Sequence, residues 1–166
     1  MIRLGKLTDY GVMLMTVIAR DRKRTIHTAR ELAAVSRLPL PTVSKVLKVL
    51  LHGHLLNSER GIKGGYTLAR DPQEITMAEM IAVLEGPISL TECSTDLSAG
   101  QCDLERCCPI KSNQRIINQV VHAALAKVTL SDLSQPLNLI TIKDARGNLA
   151  STISLDSVNT PSGRMQ

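Results

Sequence analysis

The apolar residues in the first half of the chain recur with the period of amphipathic helices. In the segment "PTVSKVLKVLLH" the large apolar side chains fall at i, i+3, i+4 and i+7, the spacing of one buried helix face. This face comprises Val43, Val46, Leu47 and Leu50. The opposite side carries Lys45, Lys48 and His52, flanked by Ser44. The pattern therefore predicts a helix with an apolar back and a polar, basic front.

Local signals place two further helices before this one. Thr8 is predicted to cap a first helix, "DYGVMLMTVIAR", which is followed by the basic loop "RDRKRT". Thr28 and Glu31 form a capping-box pattern at the start of a short second helix. Pro39 and Pro41 prevent that helix from continuing, and Pro41 suits the first turn of the next one. The predicted order is helix, short helix, turn, helix.

A β-hairpin is predicted directly after these helices. Extended segments around 55–59 and 65–69 flank "RGIKGG", whose glycines suit a tight turn. Arg60 and Lys63 lie at its tip. A second Thr-x-x-Glu capping pattern then opens the helix "MAEMIAVLE", which the dipeptide "GP" closes.

The second half of the chain predicts one long helix and little else that is regular. The helix follows Pro109 and has a broad apolar face, which a second copy of the chain would bury most economically. The segment after it is rich in Ser, Thr and Asn and is expected to be loosely ordered. The predicted organisation is a DNA-binding domain over 1–86, a cysteine-rich loop over 87–112, a dimerisation helix over 113–133 and a flexible tail over 134–166.

The order of elements predicts a mainly α fold with a small β-hairpin, namely a winged helix-turn-helix domain followed by a long helix. Such a domain inserts one helix into the major groove of double-stranded DNA, and a dimer reads two half-sites. We expect Thr42, Ser44, Lys45 and Lys48 to face the groove, Arg60 to reach a minor groove and Lys63 to contact phosphate. The alternative is a solvated helix face and a flexible hairpin.

The composition is consistent with an anionic binding partner and limits the cellular compartments in which the protein is expected. The 166 residues carry a net charge of +5 and include two Tyr but no Phe or Trp, so the core must be aliphatic. No secretory signal pattern is visible, and no apolar run approaches the ~18 residues that span a bilayer. We therefore expect a cytoplasmic protein without a membrane segment, in which thiols stay reduced.

All four cysteines lie in "ECSTDLSAGQCDLERCCPIK", between residues 92 and 111. Their spacing, Cys93-x8-Cys102-x4-Cys107-Cys108, contains no C-x2-C pair of the kind found in structural zinc sites. Adjacent cysteines rarely bind one metal centre, so three thiolates are expected in one site, with either Cys107 or Cys108 spare. An iron–sulfur cluster suits such soft ligands. A metal-free thiol switch and a zinc site are the alternatives. The histidines have no recognisable catalytic context, so we expect no enzymatic activity.

Several motifs resemble those of iron–sulfur-sensing winged-helix regulators of the IscR/NsrR type. They are "KLTDYGVMLM", "LPLPTVSKVLKVLLHGHLLNSERGIKGGYTLARD", "EGPI" and the cysteine loop with its following helix, and together they cover about residues 1–134. The run "CPIKSNQRIIN" is most similar to regulators of the SUF cluster-assembly operon. This resemblance implies a homodimeric repressor of iron–sulfur assembly genes. A nitric-oxide or redox sensor of the same fold is the alternative.

The resemblance also implies a set of ligands. The family's last two cysteines are commonly five residues apart, which puts forward Cys93, Cys102 and Cys108 and leaves Cys107 as the extra thiol. Where some relatives have a histidine ligand, this chain has Lys111. Asp9 matches the acidic position from which other relatives donate a fourth ligand across the dimer, although a carboxylate there could simply favour the helix dipole. Both [2Fe–2S] and [4Fe–4S] clusters fit this set.

Overall fold

The computed structural model describes residues 4–21, 26–61, 64–91, 108–135, 140–143 and 149–153. The helices in these ranges are α1 (Lys6–Arg20), α2 (Ala29–Ser36), α3 (Leu40–His52), α4 (Met77–Glu85), α5 (Lys111–Ala126) and α6 (Leu130–Ser134). The strands are β1 (Leu56–Glu59), β2 (Gly65–Leu68), β3 (Ile140–Lys143) and β4 (Leu149–Ile153). None of the helices in the described part of the chain is long and apolar enough to cross a membrane.

The helix-turn-helix follows the predicted boundaries closely. The Thr28 hydroxyl accepts from the Glu31 amide at 3.2 Å, and the Glu31 carboxylate accepts from the Thr28 amide at 3.0 Å, so the capping box is complete. Arg37 ends α2 in the left-handed conformation, with φ of 56°. Pro41 lies in the first turn of α3. The fold class predicted from the sequence, mainly helical with a small hairpin in a winged arrangement, is confirmed for the part of the chain that precedes residue 135.

The predicted cap of the first helix is wrong. α1 begins at Lys6 with Gly5 as its N-cap, and Thr8 lies inside the helix with its side chain fully buried. Its hydroxyl donates to the Glu85 carboxylate at 2.5 Å instead of accepting from the backbone of its own helix. The Thr8 side chain, which the local sequence predicts to be a cap, therefore bonds to a residue 77 positions away in the chain.

The hairpin of β1 and β2 is antiparallel and pairs Glu59 with Gly65 at the end next to its connecting loop. It is joined to the region before α2 by an isolated bridge, in which His27 and Tyr66 exchange backbone hydrogen bonds of 2.9 and 2.8 Å. His27 is buried, and its Nε2 has no hydrogen-bond partner. The hairpin is therefore tied to the helix-turn-helix from two sides, since β1 also follows directly from α3.

The core is aliphatic, as the composition requires. It joins α1, α3 and α4 through fully buried side chains: Leu14, Met15, Val43, Val46, Leu47, Leu50, Leu55, Ile75, Met80 and Leu130. Leu130 belongs to α6, so the chain returns to this core after the long helix. The Leu130 amide donates to the Ile75 carbonyl at 2.8 Å, and the Met77 amide donates to the Val128 carbonyl at 2.8 Å. The long helix α5 is thereby anchored at its C-terminal end.

The turn before α6 is closed by Asp132. Its carboxylate accepts from the Thr129 amide at 2.8 Å and from the Thr129 hydroxyl at 2.7 Å. These hydrogen bonds, the backbone one first, lower the pKa of Asp132 below its ordinary value because they favour the charged form. The single helix predicted over 113–133 is therefore two helices, α5 and α6, with a capped turn between them.

The segment from residue 135 onward forms a unit of its own, in which β3 pairs antiparallel with β4. These two strands lie in the tail that was predicted to be loosely ordered and flexible. The segment is polar overall, and the only strand signal within these elements is the alternation of apolar and polar residues in "ITIK".

The last turn of α4 packs against two glycines of other helices. A Cβ on Gly11 of α1 would lie 2.5 Å from Leu84 Cδ1, and a Cβ on Gly53 at the end of α3 would clash with both methyl groups of Val83. Gly53 has φ of −80°, so it is the close approach of Val83 that requires glycine here, and the left-handed residue after α3 is His54, with φ of 57°.

We predict that Gly53→Ala costs about 1–3 kcal/mol in the free energy of unfolding, because the added methyl forces α3 and α4 apart. Urea denaturation measures this. Val83→Ala removes the two methyl groups that the new Cβ would meet, so the double variant should lose less stability than the sum of the two single variants. Additive losses would contradict the close approach of the two helices.

Candidate nucleic-acid interface and cluster loop

The polar side of α3 faces solvent because its opposite side is buried. The four residues of the apolar face are all fully buried, whereas Lys45 and Lys48 are exposed and Thr42 and Ser44 are partly exposed. The structure thus places these four candidate DNA contacts on the outer side of one helix. The four residues span two helical turns, a length of helix that fits within the major groove of DNA.

The first turn of α3 carries no acidic side chain and has no side-chain cap. The first turns of α1, α2 and α4 each carry one acidic residue, namely Asp9, Glu31 and Glu79. The positive end of α3 is therefore not neutralised by a carboxylate of its own first turn, which suits the approach of a phosphate.

The first strand of the hairpin is held close to the end of α3. The Leu55 amide donates to the Leu50 carbonyl at 3.0 Å, and the adjoining Leu55 and Leu56 side chains are buried. Arg60 follows β1 and is exposed, while Lys63 lies outside the described residues. Little freedom remains between the recognition helix and the first strand of the hairpin.

Two exposed arginines of the helix-turn-helix were not among the predicted DNA contacts. Arg30 lies in the first turn of α2, and Arg37 occupies the turn between α2 and α3. In this motif the first helix crosses the phosphate backbone, so cations at both of its ends are suited to phosphate contact. The signal was available in "TARELAAVSRLP", where both arginines flank a short amphipathic helix.

Part of the predicted cluster site lies outside the described residues. Cys93, Cys102 and Cys107 are in this part, whereas Cys108 is described as a free, half-buried cysteine two residues before the N-cap of α5. Asp9 is exposed in the first turn of α1. A free thiol and an exposed carboxylate are both suitable iron ligands, so the described members fit the predicted set. Among the described residues, no three Cys, His, Asp or Glu side chains come together as a metal site.

The helix α5, which follows the cysteine loop, exposes apolar side chains to solvent and buries a polar one. Ile116, Ile117 and Val120 are exposed to 58, 49 and 63%, and the buried residue of this helix is Asn118. The Asn118 amide group donates to the Ile88 carbonyl at 3.1 Å, and its oxygen accepts from the Leu90 amide at 3.2 Å. A polar residue therefore fixes the inner side of α5 and leaves an apolar outer face.

One family model matches most of the chain. Residues 4–136 match the family model Rrf2, described as an iron-dependent transcriptional regulator. The chain is 28% identical over 143 residues to the HTH-type transcriptional regulator NsrR of Shouchella clausii, covering 86% of this chain and 87% of that protein.

Solved structures of similar proteins extend over most of the chain. CymR, the global cysteine regulator of B. subtilis, is 27% identical with a TM-score of 0.63, over 81% of this chain and 97% of that one. IscR of T. potens is 25% identical with a TM-score of 0.58, over 80% and 85% of the two chains.

We predict that Lys45→Ala and Lys48→Ala each weaken operator binding and make its salt dependence shallower, by about 0.9 in the log–log slope for each phosphate that the variant no longer neutralises. Fluorescence anisotropy over a salt series measures both effects. Lys127→Ala, an exposed lysine after α5, is the matched control and should leave the affinity and the slope unchanged. Wild-type binding by both α3 variants would contradict the docking face.

Proposed function

The chain belongs to the Rrf2 family of transcriptional regulators, and from this premise we propose that it is a homodimeric repressor whose DNA binding depends on an iron–sulfur cluster. Membership confirms the resemblance read from the sequence, and it makes the chain a DNA-binding regulator rather than an enzyme, as predicted. The observation that carries the proposal is the junction before α5. There the free thiol of Cys108 directly precedes the helix with the exposed apolar face.

The proposed dimer buries the outer face of α5 against the same face of a second copy. Three neighbouring side chains, each about half exposed or more, form an apolar patch, and burying such surface contributes about 25 cal/mol per Å². A symmetric pair would bury this patch with its own copy. It would also set the two α3 helices against half-sites about 34–36 Å apart.

The proposed ligands are the thiolates of Cys93, Cys102 and Cys108 and the carboxylate of Asp9 from the partner subunit. When bound, the cluster supplies a centre whose oxidation or loss is chemically easy. Thiolates hold iron firmly, whereas a carboxylate is a weaker and more exchangeable ligand. Within the chain, Cys108 lies two residues before the N-cap of α5, so a ligand bond at its thiol would act directly on the start of that helix.

The proposed targets are iron–sulfur assembly genes of the SUF type, repressed when clusters are plentiful. This rests on the similarity of "CPIKSNQRIIN" to regulators of that operon. A second candidate is a sensor of nitric oxide or of thiol redox state with other targets. The likeness to NsrR and to CymR, the latter described as a cysteine regulator, favours it.

We predict that anaerobic reconstitution with iron and sulfide gives a coloured protein with thiolate-to-iron charge-transfer absorption. Cys93→Ala, Cys102→Ala and Cys108→Ala should each abolish stable uptake, whereas Cys107→Ala, the neighbouring thiol, is the matched control and should retain it. Mössbauer spectroscopy then identifies the cluster type. A wild-type protein that stays colourless would reject the cluster and leave the metal-free thiol switch, and a loss at Cys107 equal to that at Cys108 would reject our choice of ligand.

We predict that Val120→Glu gives a monomer, because it places a charge in the middle of the apolar face. Sedimentation velocity measures the change. Gln119→Glu adds the same charge at the next exposed position, outside that apolar set, and should remain dimeric. A dimeric Val120→Glu protein would place the interface elsewhere.

A further inference from the structure

The carboxylate of Glu85 caps a helix to which it does not belong. Glu85 is the last residue of α4, and its Oε1 accepts from the Gly5 amide and from the Thr8 hydroxyl, both at 2.5 Å. α1 has no side-chain cap of its own at Gly5. The first amides of a helix otherwise lack partners, and its positive end favours a carboxylate. Glu85 therefore supplies from α4 what α1 lacks locally.

This contact depends on the absence of a side chain at residue 5. A Cβ on Gly5 would lie 2.7 Å from Glu85 Oε1, so any larger residue would displace the carboxylate. The Thr8 side chain is fully buried, and its hydroxyl would be left without this partner if Glu85 moved. Leaving a buried hydroxyl unpaired is unfavourable, so the carboxylate is held from two sides.

The position of Glu85 in the chain gives the contact its significance. Asp9 follows Thr8 directly, and its amide donates to the Gly5 carbonyl at 3.1 Å, so Asp9 belongs to the turn that Glu85 caps. On the other side, Gly86 takes φ of 95° and the chain turns toward the cysteine loop. Asn118 then fixes residues 88–90 before Cys93. One carboxylate thus joins the start of the cysteine loop to the turn that carries Asp9.

We propose that Glu85 is a positioning residue of the sensor, which holds the Asp9 turn at the start of the cysteine loop. This rests on the proposed function, in which Asp9 is donated to the partner's cluster. Each subunit then provides thiolates to its own cluster and the Asp9 carboxylate to its partner's cluster, and both kinds of ligand are attached to one rigid unit. A change in the loop at one site moves the Asp9 that serves the other site, so the two sites of the dimer respond together.

The first test uses the protein without a cluster. Glu85→Ala should speed amide hydrogen exchange of residues 5–9 by roughly tenfold, because the cap of α1 is lost. Glu85→Gln keeps an oxygen acceptor and should restore most of the protection. Glu79→Ala is the matched control. Glu79 lies in the same helix, but its carboxylate pairs with the exposed Arg70. Its removal should leave the exchange rates of residues 5–9 unchanged. Unchanged exchange in Glu85→Ala would overturn the proposal.

The second test follows the reconstituted cluster. Its absorption should decay about tenfold faster under chelator challenge in Glu85→Ala and in Thr8→Val than in the wild type, as expected for a residue that orients a ligand. Leu84→Ala is the control for general loss of stability, because Leu84 packs on Gly11 between α1 and α4 but makes neither of the two hydrogen bonds of the cap. Equal decay in Leu84→Ala at matched stability would reduce Glu85 to a structural role.

The two proposals fail in different ways. A wild type that takes up no cluster rejects the proposed function, and the exchange experiment then still decides whether Glu85 caps α1. A wild type that takes up the cluster, with Glu85→Ala holding it as long as the wild type does, rejects the positioning role alone.

Discussion

Burial of one aliphatic face of α3 fixes most of what this molecule presents to its surroundings. The four side chains of this face are completely buried, and each contributes about 1.5–3 kcal/mol relative to exposure. Rotating the helix would expose them, so its polar side has one allowed direction. Lys45 and Lys48 are basic residues on a rigid surface for this reason alone. The hairpin inherits the same rigidity, because Leu55 and Leu56 anchor it to the end of that helix.

The second constraint is the close packing around the end of α4. Val83 lies on Gly53 of α3, Leu84 lies on Gly11 of α1, and Glu85 caps α1. Three successive residues therefore contact the C-cap of α3 and the helix that carries Asp9, just before residue 86. Closely packed interiors transmit displacement because they lack voids to absorb it. A shift of this turn would reach the end of α3 without any long pathway.

Local rules were sufficient wherever the decisive interactions were local. The capping box at Thr28, the buried face of α3 and the hairpin glycines all act within a few residues, and the sequence predicted them with nearly correct bounds. Thr8 was misread because a threonine ahead of a helical run suits a cap, while its actual partner is Glu85. Pairs so far apart in sequence leave no periodic signal. The burial of Asn118 was not predicted for a similar reason, since a polar residue in an amphipathic helix is normally assigned to the solvent-exposed face.

The orientation of α5 shows why that omission matters. An amphipathic helix normally buries its apolar side in its own domain, and exposed apolar faces of this kind mark association surfaces. Here the two hydrogen bonds of Asn118 to the backbone at residues 88 and 90 hold the polar residue inward. The aliphatic side chains must then point outward, where water disfavours them. The same pair of hydrogen bonds that holds the backbone at residues 88 and 90 thus turns the aliphatic side chains toward the face that the proposed second subunit would cover.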